Sequence, residues 1–161
     1  MDLKSYINEV PDFPKKGISY KDIQPLLEDD QAFFDALYEM GELVDLSNVD
    51  YFVGIESRGF IFASALAAMN MKGFKMIRKK GKLPPGDLIT LEYGLEYGRD
   101  IIEMNKGTGN VVIVDDVFAT GGTMTAAEMI CELAGYQVVD SICLLDIGIN
   151  KKHTTKCLIS Y

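Results

Sequence analysis

The sequence predicts an α/β fold in which a mostly parallel sheet is flanked by helices. Short apolar segments rich in β-branched residues alternate with segments of helical periodicity along the chain. Two of the apolar segments run directly into polar, glycine-containing loops, as strands of an open parallel sheet do at the edge where ligands bind. No repeat, linker or low-complexity tract divides the 161 residues. We therefore predict a single domain over residues 1–161.

The first third of the chain precedes this alternation. Leu3–Val10 is predicted to form a short helix that ends before a proline. The following stretch, Pro11–Pro25, holds three prolines and several large apolar residues, and such a loop is uncommon in a compact domain unless it is packed down or functional. Asp29 or Asp30 can cap a helix that runs to about Val44. One side of that helix is predicted to be apolar, with Phe33, Phe34, Leu37, Met40 and Leu43.

The rest of the chain supplies the sheet and its covering helices. Four buried strands are predicted, at Tyr51–Ile55, Phe74–Ile77, Val111–Val114 and Val138–Leu145. Two helices are predicted between them, at Phe60–Met69 and from about Met124 to Leu133. Two extended segments, Leu88–Glu92 and Asp100–Met104, flank the sequence YGLEYGR and are predicted to form a hairpin or flap. Fully apolar strands alternating with helices indicate a sheet that is covered on both faces.

Composition and charge exclude several classes of function. Apolar residues make up 48% of the chain and charged residues 25%, as in ordinary globular proteins. The net charge of −8 disfavours nucleic acid and anionic membranes as partners. The N-terminal sequence lacks the features of a signal peptide, and no apolar run approaches the ~18 residues of a membrane span. We predict a cytoplasmic protein.

The cysteines and the histidine offer little to catalysis. Cys131, Cys143 and Cys157 show no metal-binding or redox spacing, and the first two are predicted to be buried apolar residues of a protein in a reducing compartment. His153, the only histidine, stands among lysines and threonines and is predicted to be solvated. A nucleophilic mechanism based on histidine is therefore disfavoured.

The most informative segment is Val111–Thr123, with the sequence VVIVDDVFATGGT. Its four β-branched residues form a strand that fixes the position of the acidic pair. Asp115 and Asp116 place two carboxylates where the hydroxyls of a ribose can donate hydrogen bonds to them. Ala119–Thr123 then turns through two glycines into a helix, whose free N–H groups can bind a phosphate. The spacing indicates a site for a sugar phosphate, and it is neither a Walker A loop nor GxGxxG.

This segment resembles the 5-phosphoribosyl-1-diphosphate signature of the type I phosphoribosyltransferases. Further segments are most similar to the adenine-specific members of that family, namely Val10–Leu27, Gly54–Ala67, Ile77–Pro84 and Leu95–Gly98. The resemblance runs in order from about residue 7 to residue 145. It implies the type I phosphoribosyltransferase-like fold with a flexible hood over residues 88–104. It also implies the conversion of adenine and 5-phosphoribosyl-1-diphosphate to AMP and diphosphate, in purine salvage.

The resemblance implies a role for each residue that matches a family motif. The ribose would be held by Asp115 and Asp116, and the 5′-phosphate by Ala119, Thr120, Gly121, Gly122 and Thr123. The diphosphate would be bound by Ser57, Arg58, Arg78, Lys79 and Lys82. The base would be bound by Tyr20 and Val117 on its faces and by the backbone of Ser19 and Lys21 at its edge. Glu96 and Tyr97 would close the hood over the site. The residues implied as catalytic are Arg58, Glu96, Asp115 and Asp116.

The resemblance also implies a cofactor and partners. Mg²⁺ would be bound mainly through oxygens of the phosphoribosyl substrate rather than by protein side chains. The N-terminal segment, residues 1–30, would contribute to the base site, and the protein would form a homodimer. The chain departs from the family pattern at a second proline in Lys82–Gly86, at Ala63 in place of a glycine, and after Leu145, where the usual ending is missing.

Two alternatives stay open at this point. The first is a transferase for hypoxanthine, guanine or orotate, because a few backbone contacts decide the choice of base. The second is a regulator that senses 5-phosphoribosyl-1-diphosphate and binds DNA through an added domain. The acidic chain and the short segment before the core disfavour that regulator.

Overall fold

The computed structural model describes residues 1–95 and 98–161. The helices are Gln24–Glu28 (α1), Asp30–Glu42 (α2), Gly59–Met69 (α3) and Gly122–Ala134 (α4). The strands are Asn8–Pro11 (β1), Ser19–Asp22 (β2), Tyr51–Ile55 (β3), Gly73–Lys79 (β4), Leu88–Leu95 (β5), Gly98–Asn105 (β6), Gly109–Phe118 (β7), Tyr136–Asp146 (β8) and Lys156–Ser160 (β9). Among the described residues, no helix combines the length and the apolar character that crossing a membrane requires.

Seven strands form one sheet in the order β5-β6-β4-β3-β7-β8-β9. β4, β3, β7, β8 and β9 are parallel to their neighbours, whereas the β5–β6 hairpin joins the edge of β4 in antiparallel fashion. The prediction of a mostly parallel α/β sheet is therefore confirmed. β7 lies between β3 and β8 near the middle of the sheet, where both its edges can be hydrogen-bonded.

Both faces of the sheet are covered, which explains the unbroken apolar run in β7. Val112 and Val114 face a core formed with α2 and α3, and Val111 and Ile113 face a second core formed with α4 and the hairpin. All four side chains are fully buried. Because successive residues of a strand point to opposite faces, a strand buried on both sides needs apolar residues at every position.

The N-terminal region differs from its prediction. Instead of one helix over Leu3–Val10, a 3-10 turn at Leu3–Tyr6 is followed by β1, which pairs with β2 in an antiparallel ribbon. Only Leu3 and Ile7 of this stretch are buried. An amphipathic helix would therefore bury little apolar surface, and backbone pairing with β2 stabilises the other residues more. The long proline-rich loop therefore contains a strand.

The helix predicted after Asp29 is confirmed, with two changes. The Asp29 carboxylate accepts a hydrogen bond of 2.8 Å from the N–H of Ala32 and so caps α2. The helix ends at Glu42, two residues before the predicted end. Phe34 was predicted on the apolar side but is 53% exposed, because the buried stripe of α2 uses Ala36 and its helical neighbours instead.

In the C-terminal half of the chain, strand β7 is longer than predicted and one side chain is more buried than predicted. β7 continues to Phe118, so the acidic pair lies inside the strand rather than after it. Cys131 and Cys143 are buried, as predicted. The prediction of a solvated His153 is wrong, because its side chain is only 16% exposed and its ring lies 4.0 Å from that of Phe118.

Candidate active site

A cleft opens where the carboxyl ends of β3, β4 and β7 meet. It is lined by Ile55, Glu56, Ser57, Arg58, Ile77, Lys79, Tyr93, Leu95, Asp100, Ile102, Asp115, Asp116 and Thr123. The structure thus brings together residues of three motifs that are far apart in the sequence. The position agrees with the rule that parallel sheets bind ligands beyond the carboxyl ends of their strands.

The acidic pair projects into this cleft because the ladder between β3 and β7 stops just before it. The last paired residues are Gly54 and Val114, whereas β7 remains paired with β8 as far as Phe118. One side of Asp115 and Asp116 is therefore held by the sheet, and the other side is open to the loop after β3. The carboxylates can contact a ligand without being carried on a loop of their own.

Burial changes the acidity of both carboxyl groups. Burial raises the pKa of Asp115 well above its ordinary value, and the neighbouring charge of Asp116 raises it further. Burial also raises the pKa of Asp116, although the nearby Arg58 acts in the opposite direction. One oxygen of Asp116, Oδ2, is buried and receives no hydrogen bond from the residues that the structure describes. Oδ2 of Asp116 therefore lacks a hydrogen-bond donor that a buried carboxylate needs, as expected of a site that a ligand completes.

Arg58 connects the acidic pair to the N-terminal ribbon. Its Nε lies 2.7 Å from Oδ2 of Asp116, a charge contact in which no N–H is aligned with the oxygen. Its Nη1 donates a hydrogen bond of 2.6 Å to the hydroxyl of Tyr20. About a third of the Arg58 side chain is exposed, so the guanidinium also faces the cleft. The structure therefore joins predicted diphosphate, ribose and base residues in one chain of contacts.

Glu56 has a role in the site that was not predicted from the sequence. Its carboxylate accepts a 2.7 Å hydrogen bond from the N–H of Lys79 and lies 3.2 Å from Nε of Arg78. Burial raises the pKa of this carboxyl group, but the bonds from Lys79 and Arg78 outweigh it, and the net pKa is lowered. Glu56 therefore stays charged and holds Arg78 at the cleft. Its position beside Ser57 at a strand end was the only signal in the sequence.

The other predicted basic residues lie at the border of the cleft, and not all of them line it. The ammonium group of Lys79 pairs with Asp100 on β6 and lines the cleft. Arg78 Nη1 donates to the carbonyl of Lys82 at 3.4 Å, and the Lys82 side chain is exposed. The basic loop thus borders the cleft, with Arg78 and Lys79 already paired to carboxylates.

The turn between β7 and α4 forms a small cavity at the helix N-terminus. It is lined by Asp115, Val117, Phe118, Ala119, Thr120, Gly121, Thr123 and Met124. Gly121 has a φ of +94°, a conformation that glycine adopts without strain. Because α4 begins at Gly122 and no side chain among the described residues caps it, its first N–H groups are available to an anion.

The predicted base residues lie on the ribbon and at the end of β7. Tyr20 packs edge-on against Phe13, with the ring centres 5.2 Å apart. Ser19 and Lys21 flank it on β2, so their backbone groups point to the same edge of the strand. Val117 is partly buried and packs against the core beside α2 and α3. Glu96 and Tyr97, the predicted hood residues, lie outside the described part of the chain.

Gly59, the first residue of α3, provides a test of how tightly the acidic pair is fitted. A Cβ at this position would lie 2.8 Å from the carbonyl oxygen of Val114 and 2.9 Å from Oδ1 of Asp115. We expect Gly59→Ala to lower the free energy of unfolding by about 1–3 kcal/mol and to weaken binding in the cleft, because backbone must move to admit the methyl group.

Urea unfolding measures the first effect, and Gly86→Ala is the matched control. A Cβ at Gly86 would meet nothing within 4 Å. If both variants unfold at the same urea concentration, the close approach of α3 to Asp115 is not a packing constraint.

Comparisons with known proteins agree with this geometry. The sequence matches the family model described as phosphoribosyl transferase domain over residues 27–161. The adenine phosphoribosyltransferase of Bdellovibrio bacteriovorus is 53% identical over 96% of this chain and 93% of its own length. That of Hydrogenovibrio crunogenus is 52% identical over 90% of this chain and 85% of its own.

Solved structures give the same result. The crystal structure of adenine phosphoribosyltransferase from Thermoanaerobacter pseudethanolicus superposes with a TM-score of 0.90 at 37% identity, covering 99% of this chain and 98% of that one. The Saccharomyces cerevisiae enzyme, complexed with an imino-altritol bisphosphate and adenine, gives a TM-score of 0.84 at 32% identity over 98% and 96% of the two chains. Sequence and fold are therefore shared along nearly the full length.

Proposed function

Since the chain belongs to the phosphoribosyl transferase domain family and, within it, to the adenine phosphoribosyltransferases, we propose that it converts adenine and 5-phosphoribosyl-1-diphosphate to AMP and diphosphate. In this reaction N9 of adenine forms a bond to C1 of the ribose, the bond from C1 to the diphosphate breaks, and the proton of the adenine imidazole ring is released. The observation that carries the proposal is the chain of contacts from the acidic pair through Arg58 to Tyr20. It links the sites for sugar, leaving group and base.

The ribose and the 5′-phosphate bind side by side at the end of β7. Asp115 and Asp116 accept hydrogen bonds from the two ribose hydroxyls, which supply the donor that the buried Oδ2 of Asp116 lacks. Ala119–Thr123 binds the phosphate through backbone N–H groups and the hydroxyls of Thr120 and Thr123. The uncapped N-terminus of α4 supports this role, because its dipole favours a negative charge there.

The diphosphate leaves on the side of Ser57 and Arg58. Arg58 contacts it directly and stabilises the charge that grows as the bond breaks. Arg78 and Lys79 add positive charge at the edge of the cleft, where Glu56 holds the Arg78 guanidinium and Asp100 pairs with the Lys79 ammonium group. Ile55 and Ile77 line the cleft beside these groups and lower the local polarity, which strengthens each of these interactions.

Magnesium fits the oxygen donors of this cleft. Within residues 1–95 and 98–161, no group of three or more His, Cys, Asp or Glu side chains could hold a metal ion alone. Magnesium would be held mainly by diphosphate and ribose oxygens of the substrate, the kind of ligand that Mg²⁺ prefers, with the carboxylates of Asp115 and Asp116 beside it. When bound, magnesium supplies positive charge that stabilises the leaving diphosphate.

The base lies between Tyr20 and Val117, and the edge of β2 selects it. Adenine presents an exocyclic amine as a donor and N1 as an acceptor, which match the C=O of Ser19 and the N–H of Lys21. Hypoxanthine and guanine present O6 and a protonated N1, the opposite polarity. Within the described part of the chain, β2 pairs with a neighbour on one side only, which supports a role for its other edge in binding.

The β5–β6 hairpin closes the cleft in this proposal. C1 of the ribose gains positive charge in the transition state, so water must be excluded. Tyr93 and Leu95 line the cleft, which places the hairpin beside the acidic pair. Closure by Glu96 and Tyr97, proton transfer by Glu96, the homodimer and the cytoplasmic compartment stay predictions.

Base preference is the test of this function. The pure protein is incubated with 5-phosphoribosyl-1-diphosphate, Mg²⁺ and, in turn, adenine, hypoxanthine, guanine, orotate and uracil, and nucleotide formation is measured. We expect adenine to react with a kcat/KM about 10⁴-fold above that of the other purines, because a wrong base leaves buried polar groups unpaired.

Two variants separate stacking from edge recognition. Tyr20→Ala should raise the KM for adenine about 5- to 150-fold, since stacking on an aromatic ring contributes about 1–3 kcal/mol. Lys21→Ala should leave the preference among bases unchanged, because its backbone N–H remains. Conversion of hypoxanthine or guanine within tenfold of adenine would show that the edge model is wrong.

A further inference from the structure

The C-terminal segment, residues 147–161, contacts two parts of the proposed site. The sequence departs from the family pattern in this segment, so the resemblance assigns it no role. One end of the segment lies against the phosphate turn, and the other lies against the ribbon that carries Tyr20. The two contacts lie at different places, and one is a hydrogen bond whereas the other is a contact of an aromatic ring with ammonium groups.

Asn150 holds the phosphate turn through its side-chain amide. Nδ2 of Asn150 donates a hydrogen bond of 3.0 Å to the carbonyl oxygen of Thr120. The same nitrogen lies 3.4 Å from the position that a Cβ at Gly121 would occupy. Fixing this carbonyl orients the peptide groups on either side of it, and the neighbouring N–H groups are those proposed to bind the 5′-phosphate.

Asn150 is itself held in place. Its Oδ1 accepts a hydrogen bond of 3.0 Å from the N–H of Lys152, so both ends of the amide are used. The ring of His153 packs on Phe118, and the N–H of Ile147 donates to the carbonyl of Phe118 at 3.1 Å. The segment therefore lies along the end of the turn next to β7. These contacts fix the position from which Asn150 donates its hydrogen bond to Thr120.

Tyr161 holds the ribbon through its aromatic ring. The ammonium nitrogens of Lys21 and Lys4 lie 3.9 Å and 4.1 Å from the ring centre, within the range of a cation–π interaction. The Lys21 side chain is only 9% exposed, and its ammonium group also pairs with Glu9 at 2.7 Å. Tyr161 is anchored to the main sheet by a hydrogen bond of 3.0 Å from its N–H to the carbonyl of Asp146.

We propose that Asn150 and Tyr161 are positioning residues, Asn150 for the phosphate turn and Tyr161 for the base strand β2. The proposal rests on the function proposed above, since it assigns each residue to one substrate of that reaction. Neither residue touches a reacting atom. Each acts by fixing backbone that does contact substrate, so each should affect binding of one substrate and leave the other unchanged.

The test is a crossed kinetic comparison. We expect Asn150→Ala to raise the KM for 5-phosphoribosyl-1-diphosphate about 5- to 10-fold, the value of one hydrogen bond, with the KM for adenine within twofold of the parent protein. We expect Tyr161→Leu to raise the KM for adenine about 3- to 10-fold and to leave that for 5-phosphoribosyl-1-diphosphate unchanged. In both variants kcat should change by less than twofold.

Conservative variants exclude a merely structural role. Tyr161→Phe keeps the ring and should behave like the parent protein. Asn150→Asp removes the N–H donor and places a negative charge by the phosphate, so its effect should be at least that of Asn150→Ala. Lys151→Ala, on the same exposed stretch, is the matched control for loss of a side chain and should change neither KM.

Binding measurements separate this proposal from the proposed function. Isothermal titration with ribose 5-phosphate and with adenine is carried out on each protein. If the parent protein binds neither ligand, both proposals are wrong. If the parent binds both and each variant loses affinity for both equally, or for neither, the function stands and the positioning roles are wrong.

Discussion

Replacing Asp115 and Asp116 together by asparagine is expected to lower kcat/KM for 5-phosphoribosyl-1-diphosphate by about 100-fold or more. The change keeps the size of both side chains but removes the charge that strengthens their hydrogen bonds to the ribose hydroxyls. Two such bonds at about 1.5 kcal/mol each account for a loss of this size. Steady-state kinetics measure it, and unchanged kinetics in a folded double variant would show that the ribose binds elsewhere.

The single variant Asp115→Asn provides the control for folding, because it should be more stable than the parent protein at pH 7. The pKa of Asp115 is raised well above its ordinary value by burial and by Asp116. The folded state therefore binds the proton more tightly than the unfolded state, and parent stability falls as the pH rises from about 3.8 through the raised pKa.

Asparagine carries no charge at any pH, so the stability gained in this variant should be present at pH 7 and vanish near pH 3. Thermal unfolding of both proteins across this range tests the sign. A variant that loses activity and also unfolds at a lower temperature at pH 7 would indicate damage to the fold rather than to the ribose site.

Arg58→Ala is expected to lower kcat by about 10²- to 10³-fold, the effect of removing one preorganised donor from a developing negative charge. The change also leaves Asp116 buried without its cation. Arg58→Lys keeps the charge but cannot contact Asp116 and Tyr20 at once, because lysine lacks the planar fork. We expect it to retain about a tenth of the parent activity.

Isothermal titration with diphosphate and Mg²⁺ checks the cause. Affinity should fall in Arg58→Ala and remain normal in Arg99→Ala, which removes the same charge from a side chain that is 76% exposed. Equal affinity of Arg58→Ala and the parent protein for diphosphate would place the leaving group elsewhere.

The sequence was sufficient to predict those parts of the fold in which neighbouring residues carry the signal. The apolar run in β7 predicted a buried strand, and Asp29 predicted the start of α2. The extension of β7 through the acidic pair was not predictable in the same way. Those residues are polar, and they remain extended only because β8 pairs with them as far as Phe118.

The N-terminal ribbon shows the opposite case, in which a local pattern predicted the wrong element. Leu3 and Ile7 have helical spacing, but the partner that makes β1 a strand lies beyond a proline-rich turn. No local pattern predicts such pairing.

In the candidate site, the sequence predicted which segments meet at one cleft but not the contacts between their side chains. The family resemblance is confirmed, and Ser57, Arg58, Lys79, Asp115, Asp116 and Thr123 line one cleft as expected. The contact between Arg58 and Tyr20 joins residues that are 38 positions apart in the sequence. The hydrogen bond between Asn150 and Thr120 joins residues that are 30 positions apart. Side chains that act by holding others carry no motif of their own, which is why Glu56 and Asn150 could not be recognised.

The placement of the acidic pair on β7 has a consequence for how the protein would lose activity on warming. β7 is a central strand of a seven-stranded sheet with a core on each side, so its backbone is freed only when the whole sheet opens. The base strand β2 has a single partner among the described strands, and a two-stranded ribbon is only marginally stable by itself. Heat should therefore abolish recognition of adenine while the sugar-phosphate half of the cleft is still assembled, so that inactivation precedes global unfolding.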